Sequence, residues 1–132
     1  MTGEKNLEKL LKSMSPELMN GEYVFCTFQN VRYGDCANLE PMASIRESEG
    51  LTLVIPKSKA DEENVEYESV FKGITLSVHS SLDAVGLTAA FSNKLAEHGI
   101  SANVIAGYYH DHLFIQSEFA ERAMEALDEF AR

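Results

Sequence analysis

The chain has 132 residues, 45% of them hydrophobic and 24% charged. This is an ordinary globular composition for one domain or two very small ones, and it excludes a disordered tail, a collagen-like repeat and a disulfide miniprotein. Acidic residues outnumber basic ones 21 to 11, a net charge of −10, which argues against nucleic-acid backbones and anionic membrane surfaces as partners.

In chain order, Leu7, Leu10, Leu11 and Met14 fall at the spacing of a short amphipathic helix, which Ser15-Pro16 ends. Asn20-Gly21 marks a turn, and Tyr23–Phe28 is rich in aromatic and β-branched residues, a strand. Asn30–Pro41 reads as a loop. Ala43–Arg46 and Leu51–Ile55 form a hairpin about Glu49-Gly50. Lys57–Asn64 is a weak polar helix, and Val65–Glu68 regains β character. Val70–Val78 is a strand, and Ser80-x-x-Asp83 opens a helix in the manner of a capping box. Leu87, Phe91 and Leu95, with Ala84 and Thr88, form that helix's apolar face, and Gly99 stops it. Ile100–Ala106 and His112–Gln116 are strands joined through Gly107–Asp111. A last helix from Ser117 presents Ala120, Ala123, Met124, Leu127 and Ala131.

The second half therefore runs β-α-β-β-α, an α+β sandwich one strand short of the ferredoxin-like β-α-β-β-α-β unit. Either Tyr23–Phe28 or a second protomer supplies the missing strand, so the halves interlock. Cys26 lies in an apolar strand pattern and Cys36 in a loop, without the spacing of a metal or redox motif. The start, Met-Thr-Gly-Glu-Lys-Asn, has no apolar run of a secretion signal. A cytoplasmic chain with reduced thiols is the expectation.

The run Ile74–Arg132 resembles an ACT domain, on the string Ser80-Ser81-Leu82-Asp83-Ala84-Val85-Gly86-Leu87-Thr88-Ala89-Ala90-Phe91. Gly99–Val104 resembles that family's second strand and His112–Ile115 its third. Val78–Leu82 and Asn103–His112 further resemble small bacterial proteins built of two ACT-like halves, themselves similar to the tandem ACT regulatory part of aspartate kinases. Tyr23–Phe25 and Glu49–Val54 resemble their first half. The resemblance implies two tandem, interlocked ferredoxin-like halves: a degenerate one at 1–70 and an ACT domain at 71–132. It implies a non-catalytic regulatory protein, a homodimer holding a small amino-acid-like ligand and needing no cofactor.

The expected ligand site is the start of the second-half helix. Ser80 and Ser81 lie where a helix N-terminus presents N–H donors to a carboxylate, and Asp83 suits an ammonium. The same residues serve equally as plain caps. Gly86 lets a ligand reach free backbone, or lets helix and strand pack closely. Leu82, Val85 and Leu87 complete that stretch. Asn103, Val104 and Ile105 open the strand that faces the ligand, and Tyr108 and His110 follow it. Two other readings stand beside this one. An empty pocket would leave a protein-interaction module. His110 and His112, two apart on a strand, could share a face and bind a metal, with His79 near by, which would make a metal-dependent enzyme. No GxSxG elbow and no glycine-rich phosphate loop occurs. No catalytic residue is assigned.

Overall fold

Among the residues the structure describes, the alternating and helical patterns of the sequence become eleven principal elements. The structure is a computed structural model that describes residues 7–77 and 86–131. The elements are α1 (Leu7–Ser13), β1 (Pro16–Leu18), β2 (Tyr23–Phe28), β3 (Ala43–Glu47), β4 (Gly50–Pro56), α2 (Lys57–Glu62), β5 (Phe71–Leu76), α3 (Leu87–Glu97), β6 (Asn103–Ala106), β7 (Asp111–Gln116) and α4 (Ala120–Asp128). Short 3-10 turns stand at Ala37–Leu39, Ser117–Phe119 and Glu129–Ala131. They form two compact units, one from residues 1–20 and 72–132, the other from 21–71.

In the first unit the strands run β1-β5-β7-β6. Ile74 and Leu76 of β5, and Leu113 and Ile115 of β7, sit two apart on their strands and so share one face. Leu87, Phe91 and Leu95 of α3 and Ala123, Ala126 and Leu127 of α4 cover that face. Leu10 and Met14 from the α1 segment join the same core. Complete burial of each large side chain contributes about 1.5–3 kcal/mol. The strand missing from the second-half pattern is Pro16–Leu18, paired antiparallel with β5 at Pro16↔Leu76, Glu17↔Thr75 and Leu18↔Ile74. Tyr23–Phe28 meets β5 only at its end, Tyr23 opposite Phe71; along its whole length it pairs with β4.

Helix α3 ends as its glycine predicts. Gly99 is left-handed at φ 71°. Its N–H donates to Ala96 O, and that of Ile100 to Leu95 O, both at 2.9 Å, which satisfies two carbonyls that a helix end leaves orphaned. Arg122 of α4 donates to His98 O at 2.7 Å, and Lys94 pairs with Glu129 at 3.2 Å, so cations serve the negative end of α3. Among the described residues, to which Ala84 does not belong, the helical faces differ from expectation at three positions. Thr88 and Ala131 are exposed, and Ala126 is fully buried.

In the second unit β4 lies between β3 and β2. The β2–β4 register sets Val24 opposite Ile55, Cys26 opposite Leu53 and Phe28 opposite Leu51. All six pack into one apolar cluster with Leu39 and Ala60. Helix α2 holds one end of this face through Ala60, and its Lys57–Asp61 pair at 2.8 Å is one turn apart. Val65–Glu68 is not a strand. The Val65 N–H donates back to Ala60 O at 2.8 Å, and the Tyr67 hydroxyl donates to Asp61 at 2.7 Å. Its alternating side chains serve to pack Val65 and Tyr67 on the cluster.

Candidate functional site

The expected ligand site divides at the limits of the described residues. Ser80, Ser81, Leu82, Asp83 and Val85, and His79 beside them, lie outside the described residues. Gly86 is not inside the first helical turn, where the sequence pattern puts it. It stands immediately before α3 in the left-handed region, φ 90° and ψ −10°. Its carbonyl accepts the Ala90 N–H at 2.9 Å, the first bond of the helix. No side chain caps this helix at Gly86. The next N–H groups, from Leu87 onward, belong to the first turn, which has no partners within its own helix. The Leu87 side chain is 3% exposed and faces the core, so this residue can offer a ligand only its backbone.

Across the same unit, Asn103 uses its amide to donate to Phe114 O at 3.1 Å, opposite which it sits in the β6–β7 ladder. Val104 packs against the core that holds Leu87, and Ile105 lies opposite His112. Tyr108 is 71% exposed, its ring edge-on to Tyr109 at 5.0 Å. His110 lies in the β6–β7 connection, where its carbonyl accepts the Gly107 N–H at 2.9 Å. It therefore does not share a strand face with His112, and the metal geometry drawn from their spacing is absent. The imidazole of His112 instead meets the Thr75 hydroxyl at 3.1 Å. Among the described residues no three His, Cys, Asp or Glu side chains converge as a metal site would require.

The electrostatics of this hairpin follow from partial burial. Desolvation, with help from the neighbouring His110, pushes the His112 imidazole below its usual value, and Asp111 opposes that. Desolvation pushes the Asp111 carboxyl up, against the pull of both histidines. In the other unit Cys26 is buried, its thiol set on Leu53 O at 3.7 Å. Burial first and then Cys36 raise its pKa, which disfavours the thiolate, and the side chain packs in the apolar cluster. Cys36 is half-buried and both thiols are free.

The sequence pattern gave no sign of a cavity in this second unit. It measures about 280 Å³ and is lined by Cys36, Ala37, Pro41, Met42, Leu51 and Leu53, among others. The only signal available was the long Asn30–Pro41 segment, which stands where a covering helix is expected.

Two β-sheet units, the first covered by α1, α3 and α4 and the second by α2 alone, define a tandem α+β regulatory fold. The chain belongs to the ACT domain family: family models for the ACT domain match residues 2–72 and residues 68–129. A protein of unknown function from Vibrio cholerae, described as a possible transport protein, is 61% identical over 97% of this chain and 98% of its own, with a TM-score of 0.88. A protein from Agrobacterium tumefaciens is 16% identical over 89% of each chain, TM-score 0.71. The regulatory subunit of aspartate kinase from Thermus thermophilus, in its ligand-free form, is 12% identical, covering 92% of this chain and 100% of its own, TM-score 0.65. These last two share the fold. No curated protein matches the chain. Among the described residues no helix is long and apolar enough to cross a membrane.

Proposed function

We propose that this chain is a non-catalytic ACT protein of the cytoplasm that works as a homodimer and binds a small amino-acid-like ligand at the start of α3. The observation that carries the reading is Gly86: a left-handed residue with no side chain, placed directly ahead of helix N–H groups that no side chain at that position caps. Such a terminus attracts a carboxylate through both its N–H donors and the helix dipole. In this reading Ser80, Ser81 and the backbone of Leu82, Val85, Gly86 and Leu87 hold the carboxylate, and Asp83 holds the ammonium. Asn103, Val104, Ile105, Tyr108 and His110 close the site from the strand side. Asn103 spends one of its two N–H groups on Phe114 O, which leaves the other and its carbonyl for a ligand. In this reading the two ACT halves divide near residue 70 along the chain, which the overlapping family matches at 2–72 and 68–129 support, although residues 1–20 pack with the second half.

The test is a thermal-shift screen of the intact protein against the twenty proteinogenic amino acids. A ligand present at a hundred times its Kd stabilises by about 2.7 kcal/mol, and Asp83→Ala is expected to abolish the shift. No shift with any of them removes the amino-acid reading. Tyr108 and Tyr109 are 71% and 60% exposed at one hairpin, which favours a second reading, a protein-interaction module. A stable complex that survives without any small-molecule response, and that Tyr108→Ser with Tyr109→Ser disrupts, would select it.

A further inference from the structure

The sheet of the 21–71 unit offers an apolar face whose cover is incomplete. Helix α2 protects one end of it. The other end lies beneath residues 29–42, which form a single 3-10 turn and bury only Leu39 fully. A helix at that place would fill the layer, and its absence leaves the cavity of about 280 Å³ over Leu51 and Leu53. This size is at the small end of sites that hold metabolites. The cavity adjoins a polar groove, with which it shares Tyr33 and Leu51. Arg32 and Arg46 line that groove. They are two of the four arginines of an acidic chain. Neither guanidinium makes an ion pair or hydrogen bond among the described residues, whereas Arg122 is held on His98 O. Asp35 accepts from the Arg32 backbone N–H, which leaves the guanidinium itself unengaged. Of the acids in the groove, Glu47 accepts the Thr52 hydroxyl, and Glu49 stands at the hairpin turn.

We propose that this cavity and groove form a second small-molecule site, separate from the start of α3, which takes an apolar carboxylate: the hydrocarbon tail lies over Leu51 and Leu53, and the carboxylate meets Arg46 and Arg32. An apolar hole of this size offers a tail the burial it lacks in water. A guanidinium presents paired N–H donors that match a carboxylate's two oxygens. Glu47 and Glu49 would draw an amine instead, so the experiment sets the two head groups against each other.

Cys36 lines the cavity and is half-buried, while Cys26 is buried. The rate at which iodoacetamide alkylates Cys36 in the intact protein, mapped by peptide mass spectrometry, therefore reports occupancy. The probes are hexanoate, hexanamide and hexylamine. Hexanoate is expected to protect Cys36 saturably, at a concentration about threefold to tenfold lower than either of the others. Arg46→Gln, an exposed change on β3, should raise the half-protecting concentration of hexanoate by a similar factor and leave that of hexanamide unchanged. Ser44→Leu, opposite Leu53 in the β3–β4 ladder and so on the cavity's side of the sheet, should abolish protection by all three. Asp83→Ala should change nothing here, which separates this site from the one at α3. The proposal is overturned if hexanoate does not protect. It also fails if hexanamide matches hexanoate and Arg46→Gln is silent, or if hexylamine is the strongest probe.

Discussion

At Gly86 one residue meets two demands, and they predict different mutants. Its φ of 90° lies where a side chain strains the backbone, and a Cβ there would come 3.3 Å from Leu7 Cδ2. Gly86→Ala should cost about 1–2 kcal/mol in chemical denaturation, and Gly86→Asn less, because asparagine tolerates the left-handed region. If ligand approach is what requires the glycine, Gly86→Asn also loses the amino-acid response while it stays folded; a conformational role alone leaves the response intact. His112 makes the second prediction at this scale. Burial holds its pKa below the usual imidazole value of about 6.5, so on acidification the unfolded chain takes up the proton first. The stability contributed by neutral His112 is complete above about pH 6.5 and is lost as the pH falls from there through the folded-state pKa. Asp111 has the opposite slope: its raised pKa makes protonation favour the folded state, in a window that opens at about pH 3.9 and extends upward. Denaturant titrations at pH 7.5 and 5.5 should show a loss in the parent that His112→Gln reduces. An equal loss in both proteins would place the acid sensitivity elsewhere.

Among the elements, those fixed by local pattern are the ones the sequence makes legible. Helix α1 follows from Leu7, Leu10, Leu11 and Met14, and the β3–β4 hairpin from the Leu51–Ile55 run and the turn at Glu49-Gly50. The β2 strand stands where Tyr23–Phe28 predicts it. Strand β1 was not legible. It is three residues long, starts at a proline and is mostly exposed, and only its hydrogen bonds to β5 make it a strand. The cavity was not legible for a related reason, since it results from a helix that does not form, and periodicity reports only what does. At the candidate site the sequence named Gly86 but placed it inside a helix opened at Ser80, whereas it stands just ahead of α3, because spacing carries no sign of φ. The α1 segment yields a prediction of its own. Leu10 is 1% exposed within the core of β5, β7, α3 and α4. Leu10→Ala should cost about 2–5 kcal/mol, measured as a shift in the denaturation midpoint with the slope unchanged. Leu18→Ala, at a residue 43% exposed, should cost less than half as much. Equal effects would mean that α1 is not anchored through this core.

For the whole molecule, the decisive feature is that residues 1–20 and 72–132 make one unit. Neither segment has a complete core alone: the second contributes β5, α3, β6, β7 and α4, and the first contributes β1 with Leu10 and Met14. A fragment of residues 71–132 should therefore remain largely unfolded, with a sheet edge bare along β5 and a hole where Leu10 and Met14 belong. The β1–β5 register supplies a direct way to restore it. Leu18 pairs with Ile74, and the Met19 N–H donates to Gly73 O at 2.8 Å, so the ends on either side of the 21–71 unit lie next to each other as the two arms of a hairpin. Joining residue 19 to residue 73 through Asn-Gly gives the two-residue turn that suits the twist of antiparallel strands. This chain should fold cooperatively and show a sigmoidal urea transition, whereas the 71–132 fragment should show none. If the fragment folds alone, β1 and α1 are dispensable additions. If the closed chain fails to fold, the unit needs residues 21–71 for its stability, and the separation into two cores does not extend to separate folding.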